Sequence, residues 1–143
     1  MLKGLSPLLS PELLAILYRM GHGDELVLAD AHFPGETFND CVLRADGLRV
    51  PQLLEAILPL FELDQYADDH LVMMAAVAGD ELDAQVEQDY LAVIDQHAAG
   101  HQPITRIDRF AFYDRAENAF AVLMTGETAK YGNLIIKKGV IGA

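Results

Sequence analysis

The order of apolar and polar positions along the chain predicts helices that alternate with short strands. In SPELLAILYRMG (10–21) leucines recur at helical spacing, Ser-Pro is a typical helix start and the glycine is a typical stop. Further helices are predicted in VPQLLEAILPLFELD (ending by Pro59), in LDAQVEQDYLAVIDQHA and in FYDRAENA. Strands are predicted in ELVLAD, CVLRADG, HLVMMAAVAG, PITRID, AFAVLMTGE and NLIIKKG.

Alternating strands and helices indicate an α/β fold. HLVMMAAVAG is apolar on both faces, which is typical of a strand in a sheet that helices cover on both sides. We therefore expect residues 1–143 to form a single domain, a three-layer α/β/α sandwich with a mixed, mostly parallel sheet. The segment after Pro34, rich in Gly and Asn, is expected to be a loop.

Composition and charge exclude several kinds of partner. The chain has 143 residues, 52% hydrophobic, and a formal net charge of −12. A negative field repels phosphate backbones and anionic lipids, so nucleic acid and membrane surfaces are poor partners. The longest apolar run is too short to cross a bilayer, the N-terminal stretch lacks a targeting signal, and the lone cysteine, Cys41, cannot form an intrachain disulfide. We expect a cytoplasmic protein.

His22 is the first candidate for chemistry, because it stands between two glycines where a helix gives way to a strand. One interpretation is structural, with the imidazole capping the last carbonyls of the preceding helix. The other is functional. Flanking glycines let a ligand approach the backbone, and histidine exchanges protons near neutral pH.

Asp30 ends a predicted strand, where ligands bind in open α/β sheets. The alternative is an Asx-type cap on the following turn. If the extended run continues, Asp30 and His32 share a face. Together with His22 and Asp24 they raise the question of a metal site. We do not favour one, because the spacings typical of metal ligands are missing.

Two further segments carry polar groups that suit a polyol. In RIDRFAFYDRAENAF, Arg109 offers a fixed fork of donors to sugar hydroxyls, although a salt-bridged, half-buried segment is the simpler interpretation. In GETAKYGN, Tyr131 and the neighbouring backbone amides either face a ligand or merely form a turn.

Long segments of the chain, in order, resemble the fucose mutarotase/ribose pyranase family. They are SPLLSPELL, MGHGDELVLADAHFP, VLRADGL, ILPLFELD, VMMAAV, DRFAFYDRA and TGETAKYGNLIIKKGV. The resemblance implies α/β/α subunits in ring-shaped homo-oligomers, commonly decamers, with sites near subunit contacts and with no metal or organic cofactor.

The resemblance also implies roles for individual residues. It assigns proton donation to His22 and sugar binding to Asp30, Arg109 and the segment Tyr131, Gly132 and Asn133. Tyr113 is a further candidate for the wall of the site. Arg109 and Gly132 favour the fucose branch, since the ribose branch resembles this pattern but carries His at the first position and tends to carry Ala at the second.

The implied activity is that of an isomerase that interconverts the α- and β-anomers of L-fucose by acid–base opening and closure of the ring. A secondary D-ribose pyranase activity is compatible with the same resemblance. A ring protein that binds monosaccharides without catalysis is the alternative from a different functional class.

Overall fold

The computed structural model describes residues 1–142, so Ala143 lies outside the described residues. The helices are α1 (Pro11–Arg19), α2 (Gly35–Phe38), α3 (Val50–Ile57), α4 (Ala84–His97) and α5 (Arg109–Asn118), with a 3₁₀ turn at Leu58–Leu60. The strands are β1 (Glu25–Ala29), β2 (Val42–Ala45), β3 (Leu71–Met74), β4 (Thr105–Ile107), β5 (Ala121–Thr125) and β6 (Leu134–Lys137). Among these helices, none is both long and apolar enough to cross a membrane.

The six strands form one sheet in the order β2-β5-β1-β6-β3-β4. β1 runs parallel to β5, β5 to β2, and β3 to β4. Only β6 runs the other way, antiparallel to both β1 and β3. The predicted mixed, mostly parallel sheet is confirmed.

Helices cover both faces of this sheet because apolar side chains point to alternate sides along each strand. Leu26 and Leu28 of β1 belong to a buried cluster that includes side chains of α1, α3 and α4. Val27 and Ala29 belong to a second cluster, with side chains of α5. The three-layer α/β/α arrangement is therefore confirmed.

The elements differ from the sequence prediction in three places. The stretch expected to be a loop contains α2, a single turn whose Gly35 lies against Met124 and Val122. The strand predicted in HLVMMAAVAG ends at Met74, and Ala75 makes one more hydrogen bond, to Ile107 O. The helix predicted in FYDRAENA begins earlier, at Arg109, because the carboxylate of Asp108 caps it.

The C-terminal end of β6 joins two loops that are distant in the sequence. Gly23 N–H donates to Lys138 O (2.8 Å) and Lys138 N–H donates to Asp24 O (2.8 Å). On the other side, Leu63 forms an isolated bridge with Lys138, and Gly139 N–H donates to Glu62 O (2.7 Å). The loops around residues 22 and 64 are thus attached to the same short stretch of backbone.

A methyl group at Gly139 should destabilise this junction. A Cβ there would lie 2.6 Å from Leu63 O and 2.8 Å from Asp64 Cα, and backbone atoms cannot swing aside as a flexible side chain can. We expect Gly139→Ala to lower the free energy of unfolding by about 1–3 kcal/mol, measured by urea denaturation at one fixed protein concentration. Gly47→Ala is the matched control, because nothing lies within 4 Å of a Cβ there. Equal stabilities of the two variants would contradict this description of the junction.

Candidate functional site

Asp30 and the segment 131–133 meet at one edge of the sheet. Asp30 directly follows β1, and Asn133 directly precedes β6, which is antiparallel to β1. The end of β1 and the start of β6 therefore lie side by side, and Asp30 N–H donates to Asn133 Oδ1 (2.7 Å). We call this the carboxyl edge, because β1 to β5 all end there.

Asp30 closes a turn and keeps one carboxylate oxygen available. Its Oδ1 accepts from His32 N–H (3.0 Å), so the Asx-type turn is present and the strand does not continue to His32. Within residues 1–142, the one fully buried side-chain polar atom without a partner is Arg106 Nε. Asp30 Oδ2 makes no hydrogen bond within those residues and is not fully buried, so it keeps access to solvent or to a ligand.

The pKa of Asp30 is raised above its ordinary value. Burial is the main cause, and the N–H groups of His32 and Phe33 oppose only part of it. A buried carboxylate at the end of a strand can accept hydrogen bonds from sugar hydroxyls, which would also repay the cost of burying its charge.

Tyr131 has a left-handed backbone, with φ of 57°, which is unusual for any residue except glycine. Its phenol donates to Asp80 Oδ2 (2.7 Å) and accepts from Val77 N–H (3.2 Å). The ammonium group of Lys130 and the phenol of Tyr131 together lower the pKa of Asp80 to about 2. Asp80 is therefore an ionised anchor for the tyrosine, and nothing in its local sequence indicated this.

Gly132 lies where no side chain fits. A Cβ would come within 2.8 Å of Ala129 O and 3.1 Å of the Tyr90 hydroxyl, which donates to Gly132 O (2.7 Å). The carboxylate of Glu127, buried beneath this loop, accepts from Ala129 N–H (3.1 Å) and pairs with Arg49 (2.7 Å). The segment 131–133, which is expected to bind the sugar, and the loop just before it are therefore fixed by hydrogen bonds to the buried side chains of Tyr90 and Glu127. Sequence reasoning missed Glu127 and Tyr90, although a glutamate at the end of a buried strand was a usable signal.

His22 lies at the opposite edge of the sheet, before β1 begins. It is the second residue of the turn Gly21–Asp24, whose third residue, Gly23, has φ of 85°. The interpretation of His22 as a helix cap is wrong, because the imidazole bonds Asp64, and Lys138 Nζ donates instead to Leu17 O in α1 (2.7 Å) and to Met20 O at its C-cap (2.6 Å).

The His22 ring is half exposed and has a carboxylate partner. Its Nε2 lies 3.0 Å from Asp64 Oδ1, and 46% of its side chain is open to solvent. The ring of Tyr66 lies alongside, with centroids 5.6 Å apart. The imidazole can thus reach a ligand that approaches from outside the chain.

One chain does not bring His22 and Asp30 together. The five residues of β1 separate them, and an extended strand rises about 3.3 Å per residue, so the two edges are roughly 16 Å apart. Within one chain, the same separation keeps His22 and Asp30 from binding one metal ion. Within residues 1–142, no group of three metal-ligating side chains is arranged to hold an ion.

Arg109 and Tyr113 both belong to α5 and lie in different surroundings. Arg109 is exposed at the carboxyl edge and, within residues 1–142, forms no ion pair; its guanidinium lies 4.9 Å from the centre of the Phe110 ring. The strand just before this helix, β4, is three positions from β1 in the sheet, about 14 Å at ordinary strand spacing. Tyr113 is half-buried and stacks on Phe38, and it also contacts Phe33 in the turn after Asp30.

Comparison with known proteins gives matches along nearly the whole chain. An L-fucose mutarotase of Histophilus somni (strain 2336) is 60% identical over 141 residues, covering 98% of this chain and 97% of the relative. One of Actinobacillus pleuropneumoniae serotype 5b (strain L20) is 59% identical over 140 residues, with 98% and 97% covered.

A solved structure has the same fold. The crystal structure of the fucose mutarotase from Streptococcus pneumoniae in complex with L-fucose superposes with a TM-score of 0.93 at 41% identity. The match covers 99% of this chain and 100% of that chain. Residues 3–141 also match the model of one protein family. The chain belongs to the RbsD / FucU transport protein family.

Proposed function

We propose that this protein is an isomerase that interconverts the α- and β-anomers of L-fucose. The observation that carries the proposal is the 60% identity, over nearly the full chain, to a relative named L-fucose mutarotase. The bound L-fucose in the Streptococcus pneumoniae structure, whose fold matches along the whole chain, supports the same substrate.

The chemistry requires two proton transfers. A proton is delivered to the ring oxygen as its bond to the anomeric carbon breaks, and the proton of the anomeric hydroxyl leaves as the aldehyde forms. Rotation about the bond to the carbonyl carbon and closure on the other face give the second anomer. Each well-placed acid or base typically contributes about 10²–10⁴-fold. These are proton transfers alone, and the proposal assigns no metal or organic cofactor to them.

In this proposal His22 is the acid that protonates the ring oxygen. Asp30 and Arg109 bind hydroxyls, and the segment 131–133 holds the sugar through the phenol and backbone groups. Tyr113 contributes to the wall through its packing on Phe33. The base that removes the anomeric proton is either Tyr131 or a bound water.

Because His22 and Asp30 lie at opposite edges, we propose that each complete site forms between two copies of the chain. The carboxyl edge of one copy would face the His22 edge of the next, and repetition of this head-to-tail contact closes a ring, with a decamer as the expected size. Exposed apolar side chains at both edges support such contacts, with Phe110 67% exposed at one edge and Ile141 84% exposed at the other.

Two coarser proposals accompany this one. The residues 1–143 form a single domain, which is supported by the two buried clusters that share one sheet. The protein is cytoplasmic, which is supported by its single, unpaired cysteine, Cys41.

Replacing the proposed acid should slow exchange strongly while leaving sugar affinity intact. We expect His22→Gln to slow α/β exchange of L-fucose by about 10²–10⁴-fold, because glutamine offers hydrogen bonds but cannot deliver a proton at neutral pH. NMR saturation transfer measures the exchange, and titration with L-fucose measures the affinity. His97→Gln is the control, since that histidine also bonds a carboxylate, Glu55, but lies outside the proposed site.

The same measurements separate the alternatives. A wild-type protein that binds L-fucose and leaves exchange at the buffer rate would be a non-catalytic sugar-binding protein. Pyranose–furanose exchange of D-ribose that is faster than anomer exchange of L-fucose would make ribose pyranase the main activity.

Mixed oligomers should test whether the site is shared. His22→Gln and Asp30→Asn damage opposite edges, so each variant alone should be nearly inactive. Random co-assembly at equal amounts should restore about a quarter of the wild-type activity, because about one contact in four pairs two intact edges. Co-expression with different affinity tags and two-step purification gives the sample. Mixed oligomers that stay as inactive as the parents would refute a site built from two copies.

A further inference from the structure

We infer that Asp64 is the positioning residue of His22, holding the imidazole in the orientation from which it protonates the sugar; this rests on the proposed function. The observation is the hydrogen bond of 3.0 Å between His22 Nε2 and Asp64 Oδ1, two residues that are 42 positions apart in the sequence. The resemblance and the comparisons assign no role to Asp64.

The carboxylate of Asp64 is fixed before it meets the histidine. It is 7% exposed, and its Oδ1 also accepts from Tyr66 N–H (3.0 Å). The backbone of the same residue is held on the sheet, because Asp64 N–H donates to Lys137 O (3.0 Å). An oxygen held in this way gives the half-exposed imidazole of His22 a fixed acceptor.

A second, buried histidine fixes Asp64 from the other side. His70 Nε2 accepts from Gln102 N–H (2.8 Å), so the ring proton of neutral His70 is on Nδ1 and is donated to Asp64 O (2.8 Å). His70 is 4% exposed. The segment from Asp64 to His70 is thus a closed loop whose first residue cannot shift without breaking buried hydrogen bonds.

This arrangement leaves one nitrogen of His22 for the substrate. Burial raises the pKa of Asp64, but the hydrogen bonds from His22 and from Tyr66 N–H lower it more, so the group is ionised at neutral pH. An ionised carboxylate only accepts hydrogen bonds, so Nε2 carries the proton of that bond. Within residues 1–142, Nδ1 makes no hydrogen bond, and it is the nitrogen that can serve the ring oxygen.

Orientation by a buried carboxylate has a known physical benefit. It removes rotational freedom of the ring before the substrate arrives, and it balances the charge of the imidazolium that delivers the proton. In serine hydrolases a carboxylate orients the catalytic histidine by the same principle. Asp64 would therefore affect the rate of the chemical step and not the affinity for the sugar.

Substitution of Asp64 should lower kcat and leave KM nearly unchanged. We expect Asp64→Ala to reduce kcat for L-fucose exchange by about 10–1,000-fold, with KM within about threefold of the wild type. Asp64→Asn, which retains an oxygen acceptor but loses the charge, should recover part of this loss. Asp68→Ala and Asp68→Asn are the matched controls, because Asp68 is exposed in the same loop.

A role that acts through His22 predicts a non-additive double variant. In a His22→Gln background, Asp64→Ala should change the residual exchange by less than about twofold. An equal loss with and without His22 would overturn the inference, because it would show a merely structural effect. If Asp64→Ala does not fold, the test uses Asp64→Asn, with Asp68→Asn as its control. The criterion is again whether the loss of exchange disappears in the His22→Gln background.

Crystal structures of the variants test the positioning without any activity. We expect the His22 ring to be displaced or to occupy several rotamers in Asp64→Ala and to keep one rotamer in the Asp68 controls. An unchanged ring overturns the positioning role, and a displaced ring with wild-type kcat overturns its part in the reaction. If the wild type fails to accelerate L-fucose exchange, the proposed function fails, and the ring position in Asp64→Ala still decides the role of Asp64.

Discussion

The antiparallel placement of β6 between β1 and β3 is the constraint on which the rest of the structure depends. Because β6 runs against its neighbours, the loop before it lies at the carboxyl edge and the residues after it lie at the opposite edge. Asn133 meets Asp30 at one end, and Lys138 meets the turn of His22 at the other. Leu134, Ile135 and Ile136 are fully buried between the helical layers, so both ends are fixed by the core.

Three carboxylates turn this frame into a pre-organised arrangement of polar groups. Glu127 holds the backbone before Tyr131, Asp80 holds its phenol, and Asp64 holds His22. Each carboxylate receives at least two hydrogen bonds, which offsets the cost of removing it from water where it is buried. Part of the acidic excess of the chain therefore serves to orient other side chains before any sugar is present.

The sequence predicted the elements and the layers well, because hydrophobic period and helix caps are local signals. The pairing of Asp30 with Asn133 was also accessible in outline, since both flank predicted strands. The hydrogen-bond partners of His22 and Tyr131 could not be predicted from the sequence. Asp64 and Asp80 lie in loops 42 and 51 residues away, and no local sequence pattern marks them. His22 and Asp30 are near each other in the sequence, but β1, which was predicted in ELVLAD, lies between them and places them at opposite edges of the sheet.

The left-handed backbone at Tyr131 places two opposing demands on one position. Glycine would relieve a conformational cost of about 1–3 kcal/mol, but it would also remove the ring that spans from the loop to Asp80. A β-branched residue would add steric strain without supplying a hydroxyl at that distance. Evolutionary change at residue 131 is therefore expected to be narrow, and to be coupled to change at residue 80 wherever it occurs.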